Sequence, residues 1–167
     1  VANLSSHKRG WDDRWESFSQ WAERGQILQN DLIKLVDEDT NAFNKIMDAF
    51  KLPKGNDEDI ANRKLAIENA TKYAIEIPLQ VMRKSYESME VMQAMGESGL
   101  PASISDAGVG ALCARSAVLG AFLNVKINLG QLSDENYRTS VMKEATELAE
   151  KAKSKEAEIL ELVDSKL

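Results

Sequence analysis

One cysteine, one histidine and three prolines occur among 167 residues. Cys113 has no partner for an internal disulfide, and His7 alone cannot supply a cluster of histidine ligands, so neither a disulfide framework nor a histidine metal centre organises this chain. No metal is expected. The sparing use of cysteine fits a reducing, cytoplasmic setting. Long uninterrupted apolar runs are missing too. The most apolar stretch, Ala107 to Leu129, carries Arg115 and Lys126, which argues against a membrane span. Val1-Ala2-Asn3-Leu4 has neither the basic start nor the apolar centre of a secretion signal. Excess positive charge is absent as well: the net charge of -6 argues against nucleic acid as a partner, since that binding neutralises many phosphates.

What remains is a chain with 43% apolar residues, long enough for one buried core and too short for two independent ones. One domain, 1–167, is expected. Nine glycines and few prolines leave little turn chemistry, while Ala, Leu, Lys, Glu, Asp and Asn dominate, so long helices are favoured over short strands. The breaks predict an all-α fold, an up-and-down array of about five helices. A short first helix covers Val1 to Ser6. A second runs from Asp12 to Lys51 and stops before Pro53, which disfavours helical geometry in Leu52. A third starts at the capping, acidic Asn56-Asp57-Glu58-Asp59, is kinked by Pro78 and ends near Met95. A fourth is expected to be capped by Ser105-Asp106 and to reach Leu129, and a fifth opens at Ser133-Asp134. In the fifth, Val141, Ala145, Leu148, Ala152, Ile159 and Leu162 recur at three- and four-residue steps between charged residues, one buried stripe against one solvated face.

Asp39 is the anomaly. At about 100° per residue, Leu28, Leu32, Leu35, Val36, Ala42, Phe43, Ile46 and Phe50 all lie within about 60° of it around the second helix, while Asp37 points about 160° away. Asp39 is therefore expected within the apolar stripe. A buried carboxylate must find a polar partner, take up a proton or face a cavity. It either holds a neighbouring helix through a hydrogen bond or serves as a general acid and base.

On the fourth helix, Asn124 and Asn128 stand one turn apart among small and apolar residues, with Asp106 near the other end. Ala107, Gly108, Gly110, Ala111, Ala114, Ala117, Gly120 and Ala121 permit close approach of another helix. The amides either satisfy backbone groups or line a polar pocket with Asp39. Lys54, after Leu52-Pro53, and Arg63 suit an anionic substrate tail or an ordinary surface. Trp11, Trp15, Phe18 and Trp21 suit core, interface or stacking on a heterocycle, and Cys113 reads as a small packing residue.

In order along the chain, Val36-Asp37-Glu38-Asp39-Thr40-Asn41-Ala42-Phe43, Leu52-Pro53-Lys54, Arg63, Ile77-Pro78-Leu79, Ser105-Asp106 with Val109 and Ala111, Gly120-Ala121 and Asn124-Val125-Lys126-Ile127-Asn128-Leu129 resemble the formimidoyltransferase-cyclodeaminase and methenyltetrahydrofolate cyclohydrolase family. The resemblance implies a helical, dimerising enzyme of one-carbon metabolism and histidine degradation. Its substrate is a tetrahydrofolate derivative, including polyglutamylated forms, and it uses no cofactor. Catalysis falls to the second aspartate of Asp-x-Asp, which matches Asp39. Asp106, Asn124 and Asn128 are then expected to orient the pterin, with Lys54 and Arg63 at the glutamate tail. A formimidoyltransferase domain is an expected fused or separate partner. The family pattern also has an upstream helix opening with Pro-Gly-Gly-Gly-Ser that these residues lack, so the domain is expected to be N-terminally incomplete. Cyclodeamination, cyclohydrolysis on the same scaffold and a non-catalytic helical interaction module stand as the three readings.

Overall fold

The structure, a computed structural model, describes residues 1–167 and contains five α-helices: α1 (Ala2–Ser6), α2 (Trp15–Lys51), α3 (Asp57–Ser98), α4 (Ile104–Leu129) and α5 (Glu135–Asp164), with a single 3-10 turn, Pro101–Ser103, ahead of α4. The all-α expectation holds. Two starts are capped as the residues foretold: the Asn56 side chain accepts from the Asp59 amide at 2.8 Å, and Asp134 accepts from the Tyr137 amide at 3.0 Å. Each satisfies a donor that the first helical turn leaves open. The start of α4 differs from expectation. Pro101 begins the 3-10 turn and Ser103 takes the N-cap position without a side-chain bond. Ser105 and Asp106 thus lie inside the first turn, where the Asp106 charge meets the positive end of the helix dipole.

The central element is α3. It packs against α2 along one side and against α4 and α5 along others, and α4 also packs on α5. Ile75, Leu79, Met82 and Met89 from α3, Val118 and Val125 from α4, and Ile159 from α5 are completely buried and hold these helices together. Each such side chain stabilises the fold by about 1.5–3 kcal/mol relative to an exposed position. The expected α5 stripe is buried at Val141, Ala145, Ala152 and Ile159.

Pro78 sits inside α3 and has no amide hydrogen to offer the carbonyl four residues earlier, that of Ala74. Asn128 supplies the replacement: its Nδ2 donates to the Ala74 carbonyl at 3.1 Å. A side chain near the end of α4 therefore repairs the break in α3 and fixes the two helices at that level.

At the other end, buried Ser5 accepts from the Leu100 amide at 2.8 Å and donates to the Val1 carbonyl at 3.0 Å, tying α1 to the turn after α3. Gly99 makes that turn possible, because a Cβ there would lie 2.5 Å from the Met95 carbonyl oxygen and 2.7 Å from Val1 Cγ1.

Ion pairs bind α3 to α5. Arg83 grips Glu144 in a two-pronged contact, Nε to Oε1 at 2.6 Å and Nη2 to Oε2 at 2.9 Å, and reaches Glu76 through Nη1 at 2.7 Å. The Arg83 hydrogen bonds hold the Glu144 carboxyl below its ordinary value. Lys72 bonds Asp134 at 2.8 Å, and that bond, reinforced by the Tyr137 amide, lowers Asp134 likewise.

One expectation about packing fails. Cys113 is exposed, so it fills no core space within this chain. Trp15 is also exposed, whereas Phe18 is buried and Trp11 stacks on it at 5.7 Å between ring centroids. By length and hydropathy alone, Pro101–Leu129 would pass for a membrane span despite its two cations. In the fold, one side of this helix packs on α3 and α5, and Arg115 lies 3.0 Å from the nearly buried Glu156.

Candidate active site

Asp39 lies on a cleft between α2, α3 and α4, but it is not buried. Leu32, Leu35 and Val36 from α2, Ile77, Pro78 and Val81 from α3, and Ala117, Ala121 and Asn124 from α4 complete the lining of a space of about 350 Å³. Such a volume lies at the lower end of small-molecule sites, which are characteristically apolar with a few converging polar groups. Asp39 and Asn124 are the two polar residues here.

The expectation of a desolvated Asp39 fails for a specific reason. Only part of the apolar arc on α2 meets α3: Leu28, Leu35 and Ala42 are buried, whereas Val36 is 67% and Phe43 61% exposed. Asp39 stands at the edge between these two parts and is exposed. Helical periodicity identifies an apolar face but not what covers it. The joining of Asp39 with Asn124, from residues far apart in sequence, is what the fold adds.

Pro78 is part of the cleft floor. Asn128, expected beside Asn124 in substrate contact, instead turns to the Ala74 carbonyl and does not line the cleft. It supports the floor by holding the helix that carries Pro78. This role could have been found from the sequence, since a proline inside a helix always leaves an acceptor four residues earlier. The partner could not.

Asp106 occupies another cleft, about 320 Å³, shared with Trp21, Gln26, Gln29, Met92 and Gly110. Eighteen residues of continuous helix separate it from Asn124, about 27 Å along the axis. Within one chain the two cannot hold the same pterin.

Lys54 and Arg63 come together in a third recess of about 350 Å³, with Ile60, Lys64 and Ile67. Arg63 also donates from Nε and Nη2 to the Phe50 carbonyl, at 3.3 and 3.2 Å, closing the C-terminal end of α2. This basic recess begins where α2 ends at Lys51, twelve residues or about 18 Å along the helix from Asp39. The spacing suits a ligand with a ring at one end and anionic groups at the other.

Sequence reasoning missed a cluster of Glu38, Tyr73 and Lys45 between α2 and α3, none of which lines the Asp39 cleft. Tyr73 donates its hydroxyl hydrogen to Glu38, and Lys45 Nζ lies 3.7 Å from the tyrosine ring centroid. The bond to Glu38 raises the Tyr73 hydroxyl above its ordinary value. Nothing in the local pattern joins α2 to Tyr73 of α3; that contact depends on the helix packing.

Comparison with known proteins extends this picture. The family model described as formiminotransferase-cyclodeaminase matches residues 1–164. Formimidoyltransferase-cyclodeaminase of Gallus gallus is 34% identical over 137 residues, which cover 82% of this chain and 25% of that protein. Methenyltetrahydrofolate cyclohydrolase of Methylorubrum extorquens is 32% identical over 100% of this chain and 80% of its own length. The chain therefore spans about a quarter of the first relative and four fifths of the second. Among solved structures, formiminotetrahydrofolate cyclodeaminase from Thermotoga maritima superposes with a TM-score of 0.84 over 99% of this chain and 78% of that one. At 24% identity, that likeness is one of fold.

Proposed function

Because the chain belongs to the formiminotransferase-cyclodeaminase family, we propose that it converts 5-formimidoyltetrahydrofolate to 5,10-methenyltetrahydrofolate and ammonia, with Asp39 as the acid and base. The observation that carries this reading is the meeting of Asp39 with Asn124 on an apolar cleft floored by Ile77 and Pro78. A flat heterocycle fits between such walls, and an amide can match donors and acceptors on its edge.

In the reaction, N10 attacks the carbon of the protonated formimidoyl group on N5, forming the N10–carbon bond and leaving an amino group on that carbon. The bond from that carbon to the terminal nitrogen then breaks, and ammonia leaves. Asp39 takes the N10 proton and returns it to the departing nitrogen. The exposed carboxylate is open to incoming substrate, and closing the cleft with a bound ring would withdraw it from water. Holding N10 against the carbon in attack geometry supplies much of the acceleration. These steps require proton transfer alone, so the proposal includes no metal or nucleotide. Lys54 and Arg63 bind the glutamate tail, and a formimidoyltransferase domain, fused or separate, supplies the formimidoyl group.

One observation favours a second reading. The match to the cyclohydrolase extends over this whole chain and most of that enzyme. On the same cleft, Asp39 would then activate water for attack on the methenyl carbon.

The test follows the methenyl absorbance together with ammonia release. Methenyl formation accompanied by ammonia from the formimidoyl substrate supports deamination; loss of methenyl absorbance without ammonia chemistry supports hydrolysis. Asp39→Asn is expected to lower turnover by about 10²-fold or more with unchanged helical content. Near-normal turnover in that variant removes Asp39 from the mechanism.

A further inference from the structure

One corner of the molecule carries positive charge that no carboxylate of the chain meets. Acidic residues outnumber lysine and arginine, 27 against 21, yet neither Arg14 nor Lys166 forms an ion pair. Asp12 and Asp13, next to Arg14 in sequence, are exposed and stay apart from it. This corner is far from the Asp39 cleft: from Trp15 to Asp39, α2 rises about 36 Å.

Arg14 and Lys166 line the same recess, about 440 Å³, together with Trp11, Glu97, Ser98 and Ile104. Separate devices hold the two cations there. The Arg14 guanidinium packs on aromatic rings, 4.9 Å from the Trp11 centroid and 5.6 Å from that of Phe18. Such contact uses the face of the planar fork and leaves its five N–H donors unspent. No side-chain hydrogen bond of Arg14 takes any of them.

Lys166 is pinned differently. Its Nζ donates to the Gly96 carbonyl at 2.7 Å and to the Glu97 carbonyl at 2.6 Å, so one of the three ammonium hydrogens remains. Those two bonds also cover terminal carbonyls of α3, whose partial negative charge would otherwise repel an anion. The Glu97 carboxylate, the acidic group on the lining, accepts instead from Gln93 Nε2 at 2.9 Å. Lys8 Nζ, 4.3 Å from the Trp11 centroid, adds a third unpaired positive charge to this corner.

A guanidinium fork takes two oxygens of a tetrahedral oxyanion, and an ammonium takes a third as a point charge. A phosphate group, close to doubly charged at neutral pH, matches the two lining cations. The recess is larger than a bare phosphate needs, and Trp11 and Ile104 give it apolar wall for ester carbons. The folates proposed above carry carboxylates and no phosphate, so this site takes a different ligand.

We propose that the recess between the start of α2 and the ends of α3 and α5 binds the phosphate group of a small phosphate monoester, with Arg14 as the two-pronged ligand and Lys166 as the point charge. Binding ties three helix ends together. It does not depend on which folate reaction the Asp39 cleft performs.

The test titrates the full nitrogen-15-labelled chain with inorganic phosphate or methyl phosphate at constant ionic strength. Saturable shifts are expected at the Trp11 indole and the Gly96 and Gly99 amides, with a dissociation constant in the millimolar range. Arg14→Gln should weaken binding by about 10-fold, the loss of a hydrogen bond to a charged group. Arg14→Lys, which keeps the charge and removes the fork, should fall between the two. Lys54→Gln, in the other basic recess, should leave these shifts unchanged.

Shifts that never saturate, or that centre on Lys54 to Ile67, overturn the site. So does undiminished affinity in Arg14→Gln with unchanged circular dichroism, and Arg14→Lys binding as tightly as the unsubstituted chain removes the fork from recognition. Succinate binding as tightly as phosphate overturns the choice of phosphate, and exclusion of methyl phosphate overturns the choice of a monoester.

Discussion

Asn128→Ala tests whether a side chain on α4 substitutes for the amide hydrogen that Pro78 withholds from α3. The bond is 3.1 Å long and ends on the carbonyl of Ala74, a residue only 7% exposed. Removing the donor leaves a buried acceptor without its replacement partner, a loss of about 1–3 kcal/mol. For a domain of this size that corresponds to about 2–4 °C in Tm per kcal/mol. The revealing variant is the second one. Pro78→Ala returns an amide hydrogen at the position that would serve Ala74, so Asn128→Ala should cost much less in that background. Urea unfolding followed by far-ultraviolet circular dichroism gives the four stabilities of the double-mutant cycle, with the slope checked for constancy. A coupling of about 1–2 kcal/mol is expected. Equal costs in both backgrounds, within about 0.3 kcal/mol, would refute the claim that Asn128 answers the proline.

The lowered Glu144 and Asp134 carboxyls mean that the unfolded chain binds protons there more readily than the folded one. Their stabilisation is fully present above the ordinary unfolded carboxylate range and is lost as pH falls through the depressed folded values. Urea midpoints measured across the acid range should fall more gently for Glu144→Gln than for the unsubstituted chain; parallel slopes would exclude the Arg83 pair as a contributor. Gly99→Ala should destabilise the turn after α3 by about 1–3 kcal/mol, because the Met95 carbonyl that blocks its Cβ is backbone; an unchanged thermal midpoint would contradict that reading. Lys54→Glu should raise KM for a polyglutamylated folate by about 10-fold, equivalent to about 1.4 kcal/mol, with little change in kcat. A fall confined to kcat would move Lys54 out of the tail-binding role.

Helix type and most helix limits were legible along the chain because caps, prolines and apolar spacing act locally. Asn56 and Asp134 each bond an amide three residues ahead, a relation visible in one dimension. The start of α4 was less legible: Pro101 set up a 3-10 turn that displaced the expected cap at Ser105-Asp106. Asp39 was recognisable as a carboxylate among apolar neighbours, but its exposure was not, since the spacing of Val36 and Phe43 is the same whether another helix covers them or not.

Tertiary packing decided which polar residues meet. It joined Asp39 to Asn124, turned Asn128 to the Ala74 carbonyl and gathered Lys54 and Arg63 in another recess. A one-dimensional pattern specifies the direction in which a side chain leaves its helix. The distance between side chains on different helices depends on where the axes cross, and that is set by the combined packing of Ile75, Leu79, Met82, Val118, Val125 and Ile159 in the core.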